Sequence, residues 1–209
     1  MNDLLLMKYH KFKIKDMGSR ETILYAIKNN KPDLLPLPPS TDFGSNNSNL
    51  VLQFSEVLES IGGTAVSVQN YEQIKEYLKK HNDLTNIAVT IPELSELATF
   101  SLNTTDPHDL ETIDLAIIAG QTAVAENAAV WISDTNSPHR ALLFITQYLM
   151  IVIKKSNIVS TLHKAYQDLK IDETGWGCWV SGPSKTADIE QSMVIGAHGA
   201  RGLIVFIMD

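Results

Sequence analysis

A chain of 209 residues, 44% hydrophobic and 20% charged, suits one α/β domain with at most a small appendage. Its net charge of −7 argues against nucleic acid as a partner, because that role needs a basic face to displace counterions. A single cysteine, Cys178, excludes an internal disulfide and a self-contained iron–sulfur or Cys-rich zinc site, and no stretch approaches the ~18 apolar residues of a membrane span.

The start, "MNDLLLMKYHKFK", lacks the charge order, long apolar core and cleavage site of a signal peptide, so a cytoplasmic protein is expected. Ser19 to Asn30 reads as a helix capped by Ser19, with Glu21 in its first turn and Ile23, Leu24 and Ile27 on one face. "KPDLLPLPP" then ends it, because prolines at this density fit neither a helix nor an inner strand. "STDFGSNNSN" continues the loop. Residues 1–47 are therefore expected to form a helical arm and connector, and 48–209 the main α/β domain. Such an arm suits packing on a neighbouring subunit, so a homodimer is one reading.

From Leu50 helices and strands alternate. Leu50 to Ser60 is a helix stopped by Gly62 and Gly63. "TAVSV" is a strand, Tyr71 to His81 a helix, and "NIAVT" a strand. "PELSEL" suits a short helix, with Pro92 in its first turn. "DPHDLETI" is a helix or turn, "DLAIIAG" and "AAVWIS" are strands, and "HRALLFI" is a short helix. "YLMIVI" is an apolar strand. Asn157 to Leu169 reads as one helix. "WGCWVSG" and "GLIVFI" close the chain as strands.

Apolar strands alternating with helices imply a mostly parallel sheet covered on both faces. Ligands in such sheets sit outside the carboxyl ends of strands. That rule points to the loops after Thr90, Ala119 and Val180.

In the last of these, "SGPSKTADIEQSM", a helix is expected from Thr186, capped by Ser184 or Thr186. Its free N–H groups favour an anion, which would offset the mildly unfavourable charge of Lys185 there. Asp188 lies nearer that helix start than Glu190 and is the better acid–base candidate. Without a ligand, Lys185 is solvated and Asp188 simply complements the helix dipole. The next turn, "GAHGARG", brings Gly196, Gly199 and Gly202, with His198 as an acid–base or anion-donor candidate and Arg201 as a carboxylate fork. A hairpin-like turn with solvated side chains reads equally well there. In "AGQTAVAENAAVWI", Gly120 ends a strand, a helical turn carries Thr122 and Ala125, and Glu126 is either a salt-bridge partner or a site residue.

Six scattered histidines make neither H-x-H nor H-E-x-x-H, so no metal is expected. The chain also lacks G-x-G-x-x-G, a P-loop frame and a G-x-S-x-G elbow, and no cofactor bound by this chain is expected.

"SGPSKTADIE" followed by "GAHGARGLIVFI" resembles the C-terminal signature of the LUD-domain family, in its lactate utilisation protein C branch. "AGQTAVAENAAVWI" resembles that family's second block, with Asn127 and Ala128 where Ser/Thr and Gly are usual. The resemblance covers roughly Leu50 to the end. It implies a three-layer α/β/α domain like the NagB/RpiA/CoA-transferase fold. It implies a part in bacterial oxidation of L-lactate to pyruvate with iron–sulfur partner proteins, this chain being an accessory or regulatory subunit.

"AENA" also looks like the Glu-Asn-Gly motif of CoA-transferases, with Glu126 at the nucleophile and Ala128 in place of the glycine. A stand-alone CoA-transferase-like or sugar-phosphate isomerase-like enzyme using Glu126 is therefore the alternative. A scaffold with a vestigial site is a third. The expected ligand-binding set is Gly120, Thr122, Gly182, Ser184, Lys185, Thr186, Gly199 and Arg201, for a small carboxylate or phosphate. The acid–base or nucleophile set is Glu126, Asp188 and His198.

Overall fold

The structure, a computed structural model, describes residues 18–33, 35–36, 49–80, 84–169, 175–187 and 193–209. The expected boundary at 47/48, most of the proline connector, and Asp188 and Glu190 lie outside them. The chain divides into two units, residues 1–40 and 41–209.

The first unit contains helix α1, Ser19–Asn29. Ser19 is its first helical residue, not its cap. The Gly18 N–H instead donates to the Glu21 carboxylate at 3.0 Å, which satisfies one of the free donors of the first turn.

The second unit carries the alternating elements. Helix α2 (Leu50–Ser60) is capped by Asn49, whose side chain accepts from the Leu52 N–H. Strand β1 (Thr64–Val68) follows, then helix α3 (Tyr71–Lys79), capped by Asn70, and strand β2 (Ile87–Val89). Two short 3-10 segments, Pro92–Leu97 and Pro107–Thr112, lead to β3 (Leu115–Ala119). Next come β4 (Thr122–Val124), β5 (Ala129–Ser133), helix α4 (Leu142–Ile145) and β6 (Tyr148–Lys154). Then follow β7 (Ile158–Val159), helix α5 (Leu162–Asp168), β8 (Gly177–Val180), β9 (Lys185–Ala187), β10 (Met193–Ile195) and β11 (Gly202–Met208).

Five strands form one parallel sheet in the order β1-β11-β6-β3-β2. Alternate residues of each central strand supply its two faces, as the period of a strand requires. Ala116, Ile118, Leu149, Ile151, Leu203 and Val205 pack on one side with Phe54 and Leu58 of α2. Leu115, Ile117, Met150, Val152 and Phe206 pack on the other with Ile74 and Leu78 of α3 and Leu94. Tyr77 of α3 meets Phe206 edge-on at 5.3 Å. Burial of a side chain such as Phe54 or Leu58 stabilises by about 1.5–3 kcal/mol. This is the expected α/β architecture with a mostly parallel sheet.

Three local expectations are overturned. The segment read as a helical turn at Thr122 and Ala125 is strand β4 plus a turn. β4 pairs with β5 and β7 in a second, four-stranded sheet, β7-β4-β5-β8. The helix read from Asn157 starts only at Leu162, because Ile158 and Val159 pair with β4 and Thr161 caps the helix by accepting from the Lys164 N–H. The helix read from Thr186 is strand β9, paired with β10 through Thr186 and Val194. In each case β-branched residues found a partner strand, and propensity yielded to that pairing.

Asp114 ties the starts of β2 and β3 together. Its Oδ2 accepts from the Thr85 N–H at 3.0 Å, the Thr85 hydroxyl at 2.9 Å and the Asn86 N–H at 3.0 Å. These bonds hold its carboxyl below the usual carboxylate range.

Candidate functional site

The two C-terminal glycine turns meet through Ser184. Its N–H donates to the Ala200 carbonyl at 2.8 Å, and its carbonyl accepts from the Gly196 N–H at 3.0 Å. Gly182 supports the first turn with a φ of +73°, and a Cβ there would lie 3.1 Å from the Ile61 side chain. A Cβ on Gly199 would press on Ser184 at 3.1 Å. Both turns therefore use glycine for close approach.

Between them lies a cavity of about 350 Å³. Gly182, Ser184, Lys185, Thr186, His198 and Gly199 line it, together with Leu149, Leu203, Trp179 and Cys178. Ser184 and Thr186 are half-buried, and Lys185 and His198 are exposed at its rim. Among these lining residues Lys185 is the one fixed charge. The volume lies in the range that holds small ligands.

The location differs from the rule used on the sequence. The cavity touches Leu149 and Leu203, near the amino ends of β6 and β11, whereas Thr90 and Gly120 follow carboxyl ends of the parallel sheet. Val180 ends a strand of the second sheet, so the carboxyl-end rule does not apply to its loop.

Lys185 also has a different neighbour from the one expected. It lies in strand β9, not at a helix start. Its Nζ donates to the Ile61 carbonyl, at the C-terminal end of α2. A cation is favourable there, where unpaired carbonyls concentrate negative charge.

Arg201 turns away from the cavity lining. Its guanidinium donates to Gln147 Oε1 and lies over the Tyr148 ring, 5.8 Å from the centroid. Gly120 and Thr122 do not line the cavity either. A Cβ on Gly120 would sit 2.5 Å from Val130 Cγ1, so this glycine lets the second sheet close onto the first. Thr122 pairs with Trp131 within that second sheet.

Glu126 is exposed, and its Oε1 accepts from the Leu162 N–H at 2.6 Å. Its carboxylate thus holds the start of α5 and does not line the cavity. The same turn still reaches the C-terminal motif, because the Ser181 hydroxyl donates to the Asn127 carbonyl at 2.7 Å. Ala128 has a φ of +51°. That left-handed conformation accounts for a glycine preference at this position.

Cys178 lies in β8 and also lines the cavity, and burial pushes its thiol up. Leu149 and Leu203 gave no sign of a site in the sequence, because an apolar residue at a strand start looks like any other core position.

Residues 106–208 match the family model described as LUD domain. That stretch, just under half of the chain, is where this sequence is similar to the LUD-domain family. It is 30% identical over 105 residues to lactate utilization protein C of Shouchella clausii, covering 47% of this chain and 45% of that protein. It is 28% identical over 100 residues to the protein of the same name from Bacillus pumilus, covering 45% of this chain and 42% of that one. The matched part thus spans just under half the length of these curated relatives. In structure the chain is similar to a DUF162 family protein from Deinococcus radiodurans, with a TM-score of 0.61 at 17% identity over 78% of this chain and 98% of that one. That likeness shows the fold, a three-layer α/β arrangement. Among the described residues, no helix is long and apolar enough to cross a membrane.

Proposed function

We propose that this chain takes part in L-lactate utilisation, as an accessory or regulatory component beside iron–sulfur partner proteins. Its similarity to relatives named lactate utilization protein C supports the pathway. The joining of the two motif turns through Ser184 around one cavity supports a binding role for the motif itself.

Oxidation of L-lactate to pyruvate releases two electrons and two protons, and the electrons need a carrier. This chain's one cysteine cannot supply the thiolate set of an iron–sulfur cluster, so the reading assigns the clusters to partners. The chain's own contribution is to bind a small carboxylate or phosphate. The Lys185 ammonium has N–H groups beyond the one given to Ile61, and the Ser184 and Thr186 hydroxyls can donate beside it. A charge-assisted hydrogen bond of this kind contributes about 1.5–3 kcal/mol.

The deciding experiment recovers the tagged chain from its host, grown with and without L-lactate, and identifies co-purified proteins by mass spectrometry. Lactate-dependent recovery of iron–sulfur proteins is the expected result. Recovery of the chain alone under both conditions overturns the reading.

A further inference from the structure

A second cavity, of about 570 Å³, opens at the amino ends of β1, β6 and β11. Its walls are mainly apolar, from Leu84, Leu149, Met150, Leu203 and Ile204. Glycines at 62 and 202 leave bare backbone on two sides.

One wall is aromatic and held in place by other means than core packing. Tyr148 lines the cavity and is 38% exposed, high for so large a ring. It pairs in register with Gly202, where a Cβ would lie 2.8 Å from Tyr148 Cδ1. The Arg201 guanidinium lies over the same ring. The absence of a side chain at 202 and the presence of Arg201 thus fix a flat apolar surface, open to solvent.

Among the described lining residues the charge is of one sign. Lys80 is exposed at the cavity's edge, and the described lining contains no Asp or Glu. In a chain of net charge −7, this is a local reversal of sign. An apolar pocket with one cationic edge is complementary to an amphiphile whose single anionic group reaches that edge.

We propose that this cavity binds a small organic acid with a flat, apolar body, stacked on Tyr148 and paired with Lys80. Thr64 supplies a hydroxyl at the mouth. The site is distinct from the motif cavity, though Leu149 and Leu203 line both. It does not rest on the lactate reading.

The test uses two fluorescent probes on the whole chain: anilinonaphthalene sulfonate, which is anionic, and phenylnaphthylamine, which is neutral. Both are expected to bind at one saturable site. Lys80→Glu should weaken the sulfonate about fivefold and leave the neutral probe unchanged, the loss expected for one solvent-screened charge contact. Thr64→Phe, on an exposed strand start, should fill the mouth and weaken both probes about tenfold. Unaltered circular dichroism and thermal melts keep these losses from being unfolding. Probe binding that ignores both substitutions, or no saturable binding at all, overturns the proposal. Neither result bears on the lactate reading, which is decided by the proteins recovered from the host.

Discussion

The Ser184 N–H donates to the Ala200 carbonyl at 2.8 Å, and this bond joins two glycine-rich stretches around one cavity. The turn that presents Ser184 depends on Gly182, which is left-handed and close to Ile61. Gly182→Ala forces a Cβ into that conformation at a cost of about 1–2 kcal/mol. A thermal melt should fall by roughly 2–8 °C for a domain of this size. Unchanged stability would show that the turn tolerates a side chain.

Lys185 holds the carbonyl at the C-terminal end of α2. Lys185→Met keeps the stem and removes the charge. The change should cost about 0.3–1 kcal/mol, the usual value of a cation at a helix C-terminus, and the loss should shrink as salt is added. Urea denaturation at low and high salt measures both effects. A salt-independent loss would assign the residue to packing.

Gly120 and Val130 are matched in size where the two sheets meet. Gly120→Ala alone should destabilise by about 1–3 kcal/mol through overpacking. In a Val130→Ala background the same change should cost less, because the atom it would strike is gone. A double-mutant cycle by denaturant unfolding reads the coupling. Strict additivity would mean that the neighbours relax around the new methyl group.

The Asp114 carboxyl is held low first by the Asn86 and Thr85 backbone N–H groups, then by the Thr85 hydroxyl. Its folded pKa lies below its unfolded value of about 3.9. The stability it contributes is therefore complete above the unfolded value and is lost as pH falls through the lower, folded one. Asp114→Asn should cost about 1 kcal/mol at pH near 7, allowing for partial solvent exposure. The gap between wild type and variant should close in acid, as urea midpoints across a pH series would record. A gap that persists at the lowest pH would mean the carboxylate charge is not what those donors hold.

Burial raises the Cys178 thiol, so little thiolate forms at mildly alkaline pH. Alkylation by iodoacetamide should run slower than for a free thiol and recover its normal rate in denaturant. Fast alkylation of the folded chain would show that the cavity admits solvent to the sulfur freely.

Much of the fold was legible because local signals and tertiary demands agreed. The Gly62–Gly63 stop and the apolar runs at 115–119, 148–154 and 202–208 mark elements whose partners are dictated by burial. The motif cavity was legible in part, since Gly182, Ser184, Lys185, Thr186, His198 and Gly199 do line one space. Glu126 and Arg201 were legible as functional groups but not in their roles. A carboxylate that holds a distant helix start, and a guanidinium that lies over a ring one residue ahead of its own strand partner, leave no spacing to read.

The sequence by itself determined where most of the helices and strands fall, which residues are apolar enough to be buried, and that special conformations cluster at the C-terminus. Those properties follow from side-chain shape and backbone freedom, which act over a few residues. Only the tertiary structure decided that the strands divide between a five-stranded parallel sheet and a four-stranded mixed one. It also decided that Thr186 pairs with Val194 instead of starting a helix, and that the motif turns meet at the amino edge of the parallel sheet. These outcomes depend on which strand lies beside which, and hydrogen-bond partners distant along the chain outweigh local preferences of about 1 kcal/mol or less.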